Sequence, residues 1–168
     1  MLVGLLCIFL AYNFNSKNTF QVSGYAYGTT WSITSTEYIA DHHEKKIQNI
    51  INNIDMMASN YKPDSEIALI NNSPVNTDLL VSDGLFHILN IAQSISKESD
   101  GYYDITLGKT SSSMGFSPDF EMNVENNPLN RSYELNKSNQ TVNKNSFFWF
   151  DLSSIAKGYA VQRIHDYL

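Results

Sequence analysis

The sequence has little of the features that define several classes of protein. Its single cysteine excludes a disulfide framework and a zinc site built from several cysteines. Lys and Arg number 11 against 17 Asp and Glu, and no basic run occurs, so a protein that binds nucleic acid through its phosphates is not expected. Charged residues make up only 17% of the chain while aromatic residues reach 12%, a balance that argues against intrinsic disorder.

What the sequence does contain is enough apolar material for one folded domain. Its 168 residues are 42% hydrophobic, which allows a real core but leaves too little chain for two large domains. No internal repeat is present, and no linker separates two halves. We expect a short N-terminal segment over residues 1–18 and one domain over residues 19–168.

The chain begins with an apolar stretch, MLVGLLCIFLAY, which is followed by polar residues. Its helix would rise ~18 Å, short of the ~30 Å hydrocarbon core, but this is the length of the apolar region of a signal peptide. No Lys or Arg precedes it and no small-x-small cleavage pattern follows. We interpret residues 1–18 as a signal or membrane-anchor segment of an exported protein. A buried N-terminal strand fits less well, because apolar and polar residues do not alternate.

Cys7, inside that stretch, has two interpretations. It is either a lipidation site of the bacterial lipoprotein kind or an ordinary apolar residue of the segment. Leu6, directly before it, is not the small residue that lipidation expects. The second interpretation therefore fits the local sequence better.

Periodicity and capping residues predict mixed secondary structure in the first half of the domain. Alternation over Phe20–Thr36 predicts strand, interrupted at Gly28 by a bulge or a close backbone approach. Asp41, with Glu44 at the capping-box position, Ser65 and Ser82 can cap three helices, the last ending near Gly101. The inward residues of the first helix are Ile47, Ile50, Ile51, Ile54 and Met57, and those of the third are Leu85, Ile88, Leu89, Ala92 and Ile95.

The second half reads as strands, a long loop and a final helix. The predicted elements are a strand over Tyr102–Leu107, a loop over 109–130, a hairpin of Tyr133–Leu135 and Gln140–Val142, a buried strand over Phe147–Leu152, and a helix from Ser153 or Ser154 with Ala156, Ala160, Ile164 and Leu168 on one side. The whole pattern predicts an α+β fold, a mixed sheet with packed helices. The last helix has no cap, so we expect the front part of a longer domain.

Four segments carry chemical signals, each with a structural alternative. Gly24–Thr30 offers a glycine where a flat ligand could approach a strand, or simply a twisted strand with a bulge. Met57–Ile67 places Tyr61 at a corner between helices, where its ring could stack on a ligand, although capping by Ser65 explains most of the segment.

The other two segments contain carboxylates in apolar surroundings. Asp104 falls in an aromatic strand, where a buried carboxylate needs a ligand or backbone donors. Asp151, at the end of a strand and before a helix, begins a turn whose free N–H groups can bind an anion, with Lys157 adding positive charge. Simple capping of the helix explains this turn equally well.

Taken in order, these segments resemble the ApbE family of FAD:protein FMN transferases. The family has Gly-x-x-Met-Gly-Thr, Ser-x-Tyr-x-x-x-Ser-Glu-Ile…Asn, Gly-aromatic-Phe-Asp-Ile-Thr and Asp-x-x-x-Ile-Ala-Lys-Gly-Tyr-Ala. The matching stretches here are Gly24–Thr29, Ser59–Asn71, Gly101–Thr106 and Asp151–Ala160. Tyr27 stands where the family usually has Met.

The resemblance implies a magnesium-dependent transfer of FMN from FAD to a Thr or Ser hydroxyl of an exported acceptor protein, such as a redox-pump subunit, with release of AMP. It also implies a location on the periplasmic side of the bacterial inner membrane. The residues that it implies for FAD contact are Tyr27, Tyr61, Tyr102, Tyr103, Asp104, Asp151 and Lys157. Ser154 would lie at the Mg²⁺ position, through its backbone oxygen.

Catalytic side chains are not assigned. The family places them in a C-terminal half that this sequence does not contain. The chain's histidines fall in helical patterns and do not match the family histidine; they are His42, His43, His87 and His165. An FAD-binding module without catalysis, or a nonfunctional fragment, therefore stands beside the transferase as an alternative.

Overall fold

The computed structural model describes residues 4, 5, 7, 8, 19–116 and 130–168. No helix in this part of the chain is long and apolar enough to cross a membrane. Most of the predicted signal or anchor segment, residues 1–18, lies outside the described residues, so that assignment stays a prediction. The described chain divides into two compact units, residues 1–49 and residues 50–168.

The first unit contains an antiparallel hairpin. Strand β1 is Phe20–Ala26 and strand β2 is Thr29–Ser35. Tyr27 and Gly28 between them have φ values of 52° and 73°, the left-handed pair that a two-residue hairpin turn requires. The interruption predicted at Gly28 is therefore a reversal of the chain, not a bulge. The close approach occurs instead at Gly24, where an added Cβ would lie 2.8 Å from the Trp31 ring.

Helix α1, Asp41–Ala58, runs from the first unit into the second. Ile47, Ile51, Ile54 and Ala58 are buried at helical spacing, so the face predicted from the sequence is largely confirmed. Asp41, predicted as the cap, is instead the first residue of the helix, where its charge suits the positive end of the helix dipole.

Helices α2 and α3 build the core of the second unit. Helix α2 is Glu66–Asn71 and helix α3 is Asp83–Glu98. Ser65 and Ser82 cap them as predicted, each hydroxyl accepting a hydrogen bond from the backbone N–H three residues later. Four of the five residues predicted to face inward on α3 are fully buried: Leu85, Ile88, Leu89 and Ala92. The fifth, Ile95, is 37% exposed because the buried stripe ends one turn earlier.

The strands of the second unit form one small sheet in the order β3-β5-β4, paired antiparallel. Strand β3 is Leu79–Leu80, β4 is Tyr133–Asn136 and β5 is Thr141–Lys144. The predicted hairpin is confirmed as β4 and β5. A single parallel bridge joins Leu107 to Trp149. The α+β class with small sheets and packed helices is thus confirmed.

Two predicted strands are wrong in detail. Tyr102–Leu107 forms turns up to the bridge at Leu107, and helix α4, Gly108–Ser113, follows within the predicted loop 109–130. Residues 117–129 of that loop lie outside the described residues. Phe147–Leu152 forms no strand, and its one bridge is at Trp149. The aromatic residues that suggested strands fill the core instead, where Phe148 and Phe150 are fully buried, although Phe147 is 44% exposed.

The last element, helix α5, is Ser153–Tyr167 and begins where it was predicted. Ala156 and Ala160 are buried, while Ile164 is half-buried and Leu168 is exposed. The predicted inward side of the helix is therefore confirmed only over its first half.

Candidate functional site

The third and fourth sequence segments lie side by side in the second unit. The Asp151 N–H donates to the Ile105 carbonyl at 2.7 Å, and the Gly108 N–H donates to the Trp149 carbonyl at 2.9 Å. A Cβ at Gly108 would lie 2.7 Å from that same carbonyl oxygen, so the contact depends on glycine. Segments separated by some forty positions in the sequence thus meet at the start of helix α5.

Asp104 lies in this contact region, but its carboxylate is already satisfied. One oxygen accepts hydrogen bonds from the Thr106 N–H at 2.8 Å and the Thr106 hydroxyl at 2.6 Å. The other lies 3.4 Å from the Arg131 guanidinium. The expectation of a buried strand carboxylate is wrong, because Asp104 sits in a turn with 28% of its side chain exposed. The sequence led us to expect a backbone donor, which is the Thr106 N–H, but it gave no indication of the second partner, Arg131.

Arg131 completes this network and borders a cavity. Its Nε donates to the Thr106 hydroxyl at 3.0 Å. The cavity, of about 480 Å³, is lined by polar and apolar residues from the end of α3, the Asp104 turn and the start of β4. Burial, reinforced by the negative charge of Asp104, raises the pKa of Tyr133 on its wall above the usual value.

The start of helix α5 holds the residues of the fourth segment. The Asp151 carboxylate accepts a hydrogen bond from the Ser153 N–H at 2.9 Å. The Ser154 hydroxyl lies 3.1 Å from the Tyr103 hydroxyl, so the third and fourth segments also meet through side chains. Lys157 is exposed one turn later. The Asp151 carboxylate thus occupies one backbone N–H, although the N-cap position itself is Leu152, whose side chain makes no cap bond. The exposed first turn still offers a positive end for an anion.

Two further tyrosines present their rings to solvent. Tyr61 is 61% exposed, and its hydroxyl donates to the Phe116 carbonyl at 2.7 Å, which ties the second segment to the end of α4. Tyr102 is 95% exposed. Tyr27 occupies the hairpin turn of the first unit. The structure thus brings Tyr103, Asp104, Asp151 and Ser154 together, and leaves the roles of all the predicted site residues as predictions.

The second segment is mostly turned inward. Ser65 is fully buried and donates to the Ser59 carbonyl at 2.6 Å. The Glu66 carboxylate accepts from both the N–H and the hydroxyl of Ser82, at 2.5 and 2.6 Å. The Asn71 amide pairs with the backbone of Phe150. These polar residues hold helices α2, α3 and the approach to α5 together.

Two lysines that sequence reasoning missed lie in the interior of the second unit. Lys144 is 1% exposed and donates to the Asn71 carbonyl at 2.9 Å. Burial, with the charge of Lys109 nearby, lowers its pKa to about 8. The Lys109 ammonium lies 3.8 Å from the centre of the Phe147 ring, and burial lowers its pKa as well. Nothing in the sequence marks either lysine as buried, because a lysine in a strand or helix is normally exposed.

The described residues do not by themselves form a metal centre. Among residues 4, 5, 7, 8, 19–116 and 130–168, no group of three or more His, Cys, Asp and Glu side chains is placed to hold a metal ion. The chain's oxygen atoms near Ser154 could supply only part of the octahedral shell that Mg²⁺ prefers.

Comparison with known proteins places these features in context. The sequence model of the ApbE family matches residues 27–168. The FAD:protein FMN transferase of Haemophilus influenzae is 28% identical, over 88% of this chain and 48% of the relative. The enzyme of that name from Vibrio cholerae is 26% identical, with the same two coverages. The chain spans about half the length of the curated relatives it matches.

Solved structures share the fold over a similar extent. The flavin transferase ApbE from Vibrio cholerae matches with a TM-score of 0.77 and 24% identity, over 90% of this chain and 53% of that one. The apo form of the flavinyl transferase ApbE from Pseudomonas stutzeri matches with a TM-score of 0.76 and 20% identity, over 90% and 55%. At these identities the likeness shows the fold.

Proposed function

The chain belongs to the ApbE family, and we propose on that basis that it serves the transfer of FMN from FAD to a hydroxyl of an acceptor protein. The curated relatives that it matches are named FAD:protein FMN transferase. One structural observation carries the proposal. The Asp104 and Asp151 segments, which the resemblance marks for FAD, meet at the exposed start of helix α5, through the hydrogen bond from the Asp151 N–H to the Ile105 carbonyl.

In this proposal the chain binds and orients the dinucleotide. Exposed aromatic rings at Tyr61 and Tyr102 offer flat apolar faces to the ring systems. The resemblance alone assigns Tyr27, in place of the family's Met, to the flavin. The first turn of α5 and Lys157 supply the positive potential that a diphosphate needs. Tyr103, Asp104 and Asp151 complete the predicted contact set.

The reaction itself is an exchange of one phosphorus–oxygen bond for another. The oxygen of a Thr or Ser hydroxyl on the acceptor bonds to the phosphorus of the FMN half. The bond from that phosphorus to the bridging oxygen breaks, and AMP leaves with the electron pair. The hydroxyl proton passes to a base. No residue of this chain is assigned to that base, and the chain's part is to hold the phosphates against their mutual repulsion.

Magnesium enters the proposal with the nucleotide. The backbone oxygen of Ser154 is the ligand that the resemblance implies, and diphosphate oxygens and water would supply the rest of the shell. When bound, the ion neutralises charge on the diphosphate. The described residues provide no carboxylate cluster that would hold it alone.

The place of action is also a proposal. The apolar stretch at residues 1–12 supports export, and an exported acceptor on the periplasmic side of the inner membrane, such as a redox-pump subunit, follows from the resemblance. Lipidation or cleavage would appear as a mass change of the N-terminal peptide containing Cys7 after expression in a bacterium. An unmodified, uncleaved peptide in the cytosolic fraction would contradict export.

A two-part assay tests the function. Titration of the full chain with FAD, followed by flavin fluorescence, measures binding. Incubation with FAD, Mg²⁺ and an exported acceptor then measures transfer, as a covalent gain of FMN mass that requires the acceptor's Thr or Ser. We expect saturable binding and transfer. Binding without transfer would favour the FAD-binding module, and a chain that neither binds FAD nor melts cooperatively would be the nonfunctional fragment.

A further inference from the structure

A buried amide joins the second sequence segment to the fourth. The Asn71 Nδ2 donates to the Phe150 carbonyl at 3.0 Å, and its Oδ1 accepts from the Phe150 N–H at 2.7 Å. Asn71 is 5% exposed and Phe150 is fully buried. Asn71 ends helix α2, whereas Phe150 precedes α5, so this pair links chain segments that are distant in sequence.

The two bonds reproduce the pairing that a neighbouring strand would give. Phe150 lies outside the named strands, and its N–H and carbonyl would otherwise be buried polar groups in need of partners. An amide is the side chain that donates and accepts from one planar group, so it satisfies both at once. An apolar residue of the same size would fill the space and leave both Phe150 groups without these bonds.

The position of Phe150 decides where the next residue points. Asp151 is fixed on its other side by the hydrogen bond from its N–H to the Ile105 carbonyl, and its carboxylate accepts from the Ser153 N–H. The chain is therefore held at two successive residues directly before helix α5. Lys144 holds Asn71 in turn, through the bond from its ammonium to the Asn71 carbonyl.

We propose that Asn71 is a positioning residue of the nucleotide site, which acts by fixing Phe150 so that Asp151 and the first turn of α5 face the diphosphate. This inference rests on the proposed function for its effect on FAD. Its effect on the backbone of Phe150 and Asp151 does not depend on any ligand. The two effects can therefore be measured separately.

The test compares variants of the full chain. Asn71→Ala removes both bonds to Phe150, and Asn71→Asp keeps the shape and one acceptor but loses the donor. Ser82→Ala is the control, because it removes a helix cap and the hydroxyl bonded to Glu66, and so lowers stability, without removing any bond of Asn71, Phe150 or Asp151. Amide hydrogen exchange at Phe150, Asp151 and Ser153, and the FAD dissociation constant, are measured for each.

We expect both Asn71 variants to speed exchange at Phe150 and Asp151, and to weaken FAD binding about tenfold, as the loss of a buried hydrogen bond would. Ser82→Ala should leave both unchanged. If Asn71 acts through Asp151, its substitution should matter less once Asp151 is altered. Asn71→Asp should therefore weaken FAD binding less in an Asp151→Asn background than in the natural chain.

Each other outcome has a definite meaning. Equal losses of FAD affinity in Asn71→Asp and Ser82→Ala would overturn the proposal, because general destabilisation would explain them. If Asn71→Ala does not fold, Asn71→Asp carries the comparison. If the natural chain binds no FAD, the proposed function fails. Hydrogen exchange then decides alone, and unchanged exchange at Phe150 and Asp151 in Asn71→Asp would overturn the positioning role.

Discussion

The second segment, Ser59–Asn71, and the start of helix α5 contain similar residue types used in opposite ways. In the second segment the polar groups of Ser65, Glu66 and Asn71 bind other parts of the same chain. At the start of α5, Lys157 is exposed and the first turn of the helix faces outward. These three side chains of the second segment stabilise the fold, and the start of α5 is where we place the nucleotide.

This difference shows that a polar residue in a recognisable segment is not by itself a ligand contact. Glu66 carries a charge, as Asp151 does, but its carboxylate is occupied by the backbone and hydroxyl of Ser82. Asp104 stands between the two cases, since its carboxylate is bonded within the chain and is still partly exposed. The comparison predicts that Ser65 and Glu66 change stability, that Asn71 changes FAD affinity only by positioning Asp151, and that outward residues change FAD affinity directly.

The largest effect is expected at the contact that joins the third and fourth segments. Gly108→Ala places a Cβ 2.7 Å from the Trp149 carbonyl oxygen, a backbone atom that cannot move freely. We expect a loss of about 3 kcal/mol in the free energy of unfolding, measured by denaturant titration. Gly158→Ala is the matched control, because no atom lies within 4 Å of its added Cβ. Equal stability of the two variants would contradict this contact.

The inward region should also respond to pH through Lys144. Its folded pKa of about 8 lies below the ordinary value of 10.5, so between these values the unfolded chain binds a proton that the folded chain has released. Stability therefore rises with pH across this window, by about 3 kcal/mol from roughly pH 8 to 10.5. Lys144→Met should flatten the rise, measured by denaturant titration at each pH, and an unchanged slope would contradict it. Lys109 adds a rise of the same sign, and Tyr133, whose pKa is raised, opposes it above its ordinary value.

A smaller effect is expected where Glu66 holds helix α3. Glu66→Ala removes the acceptor of the Ser82 N–H and hydroxyl, and should lower the free energy of unfolding by about 1 kcal/mol. Asp64→Ala, which removes a neighbouring exposed carboxylate, should change stability little. FAD affinity should be the same in both variants. A selective loss of affinity in Glu66→Ala would contradict the purely structural role of Glu66.

The smallest effect on stability, and a clear one on binding, is expected at Lys157. Lys157→Ala removes an exposed side chain, so unfolding should change by less than about 0.5 kcal/mol. FAD affinity should fall about tenfold, because one charge facing the diphosphate is lost. Lys137→Ala, in the turn between β4 and β5, removes an equal charge elsewhere and should leave affinity unchanged. Unchanged affinity in both Lys157→Ala and Asp151→Ala would leave helix capping as the only role of the fourth segment.

Much of the fold could be predicted from local sequence. The caps at Ser65 and Ser82 and the apolar stripe of α3 are determined by residues three or four apart, which the sequence shows directly. The hairpin turn at Tyr27 and Gly28 was missed because a tyrosine with positive φ is rare. The false strand at Tyr102–Leu107 arose because aromatic and branched residues suit a buried turn as well as a sheet.

The site was predictable only where its residues lie in recognisable segments. The resemblance singled out Tyr103, Asp104 and Asp151, and the structure brings these together. Arg131 and Lys144 could not be found in this way, because each acts on a partner far along the chain and neither belongs to a segment with a pattern. Asn71 was visible as part of a segment, but its partner Phe150 was not.

The account depends most on the placement of the nucleotide at the start of α5. Amide hydrogen exchange of the full chain, with and without saturating FAD and Mg²⁺, tests this directly. The account predicts that FAD slows exchange at Ser153–Ala156 and at Tyr102–Thr106, and that Lys157→Ala reduces this protection at equal FAD concentration. If FAD is bound and yet exchange is unchanged in both stretches, this placement of the nucleotide is contradicted.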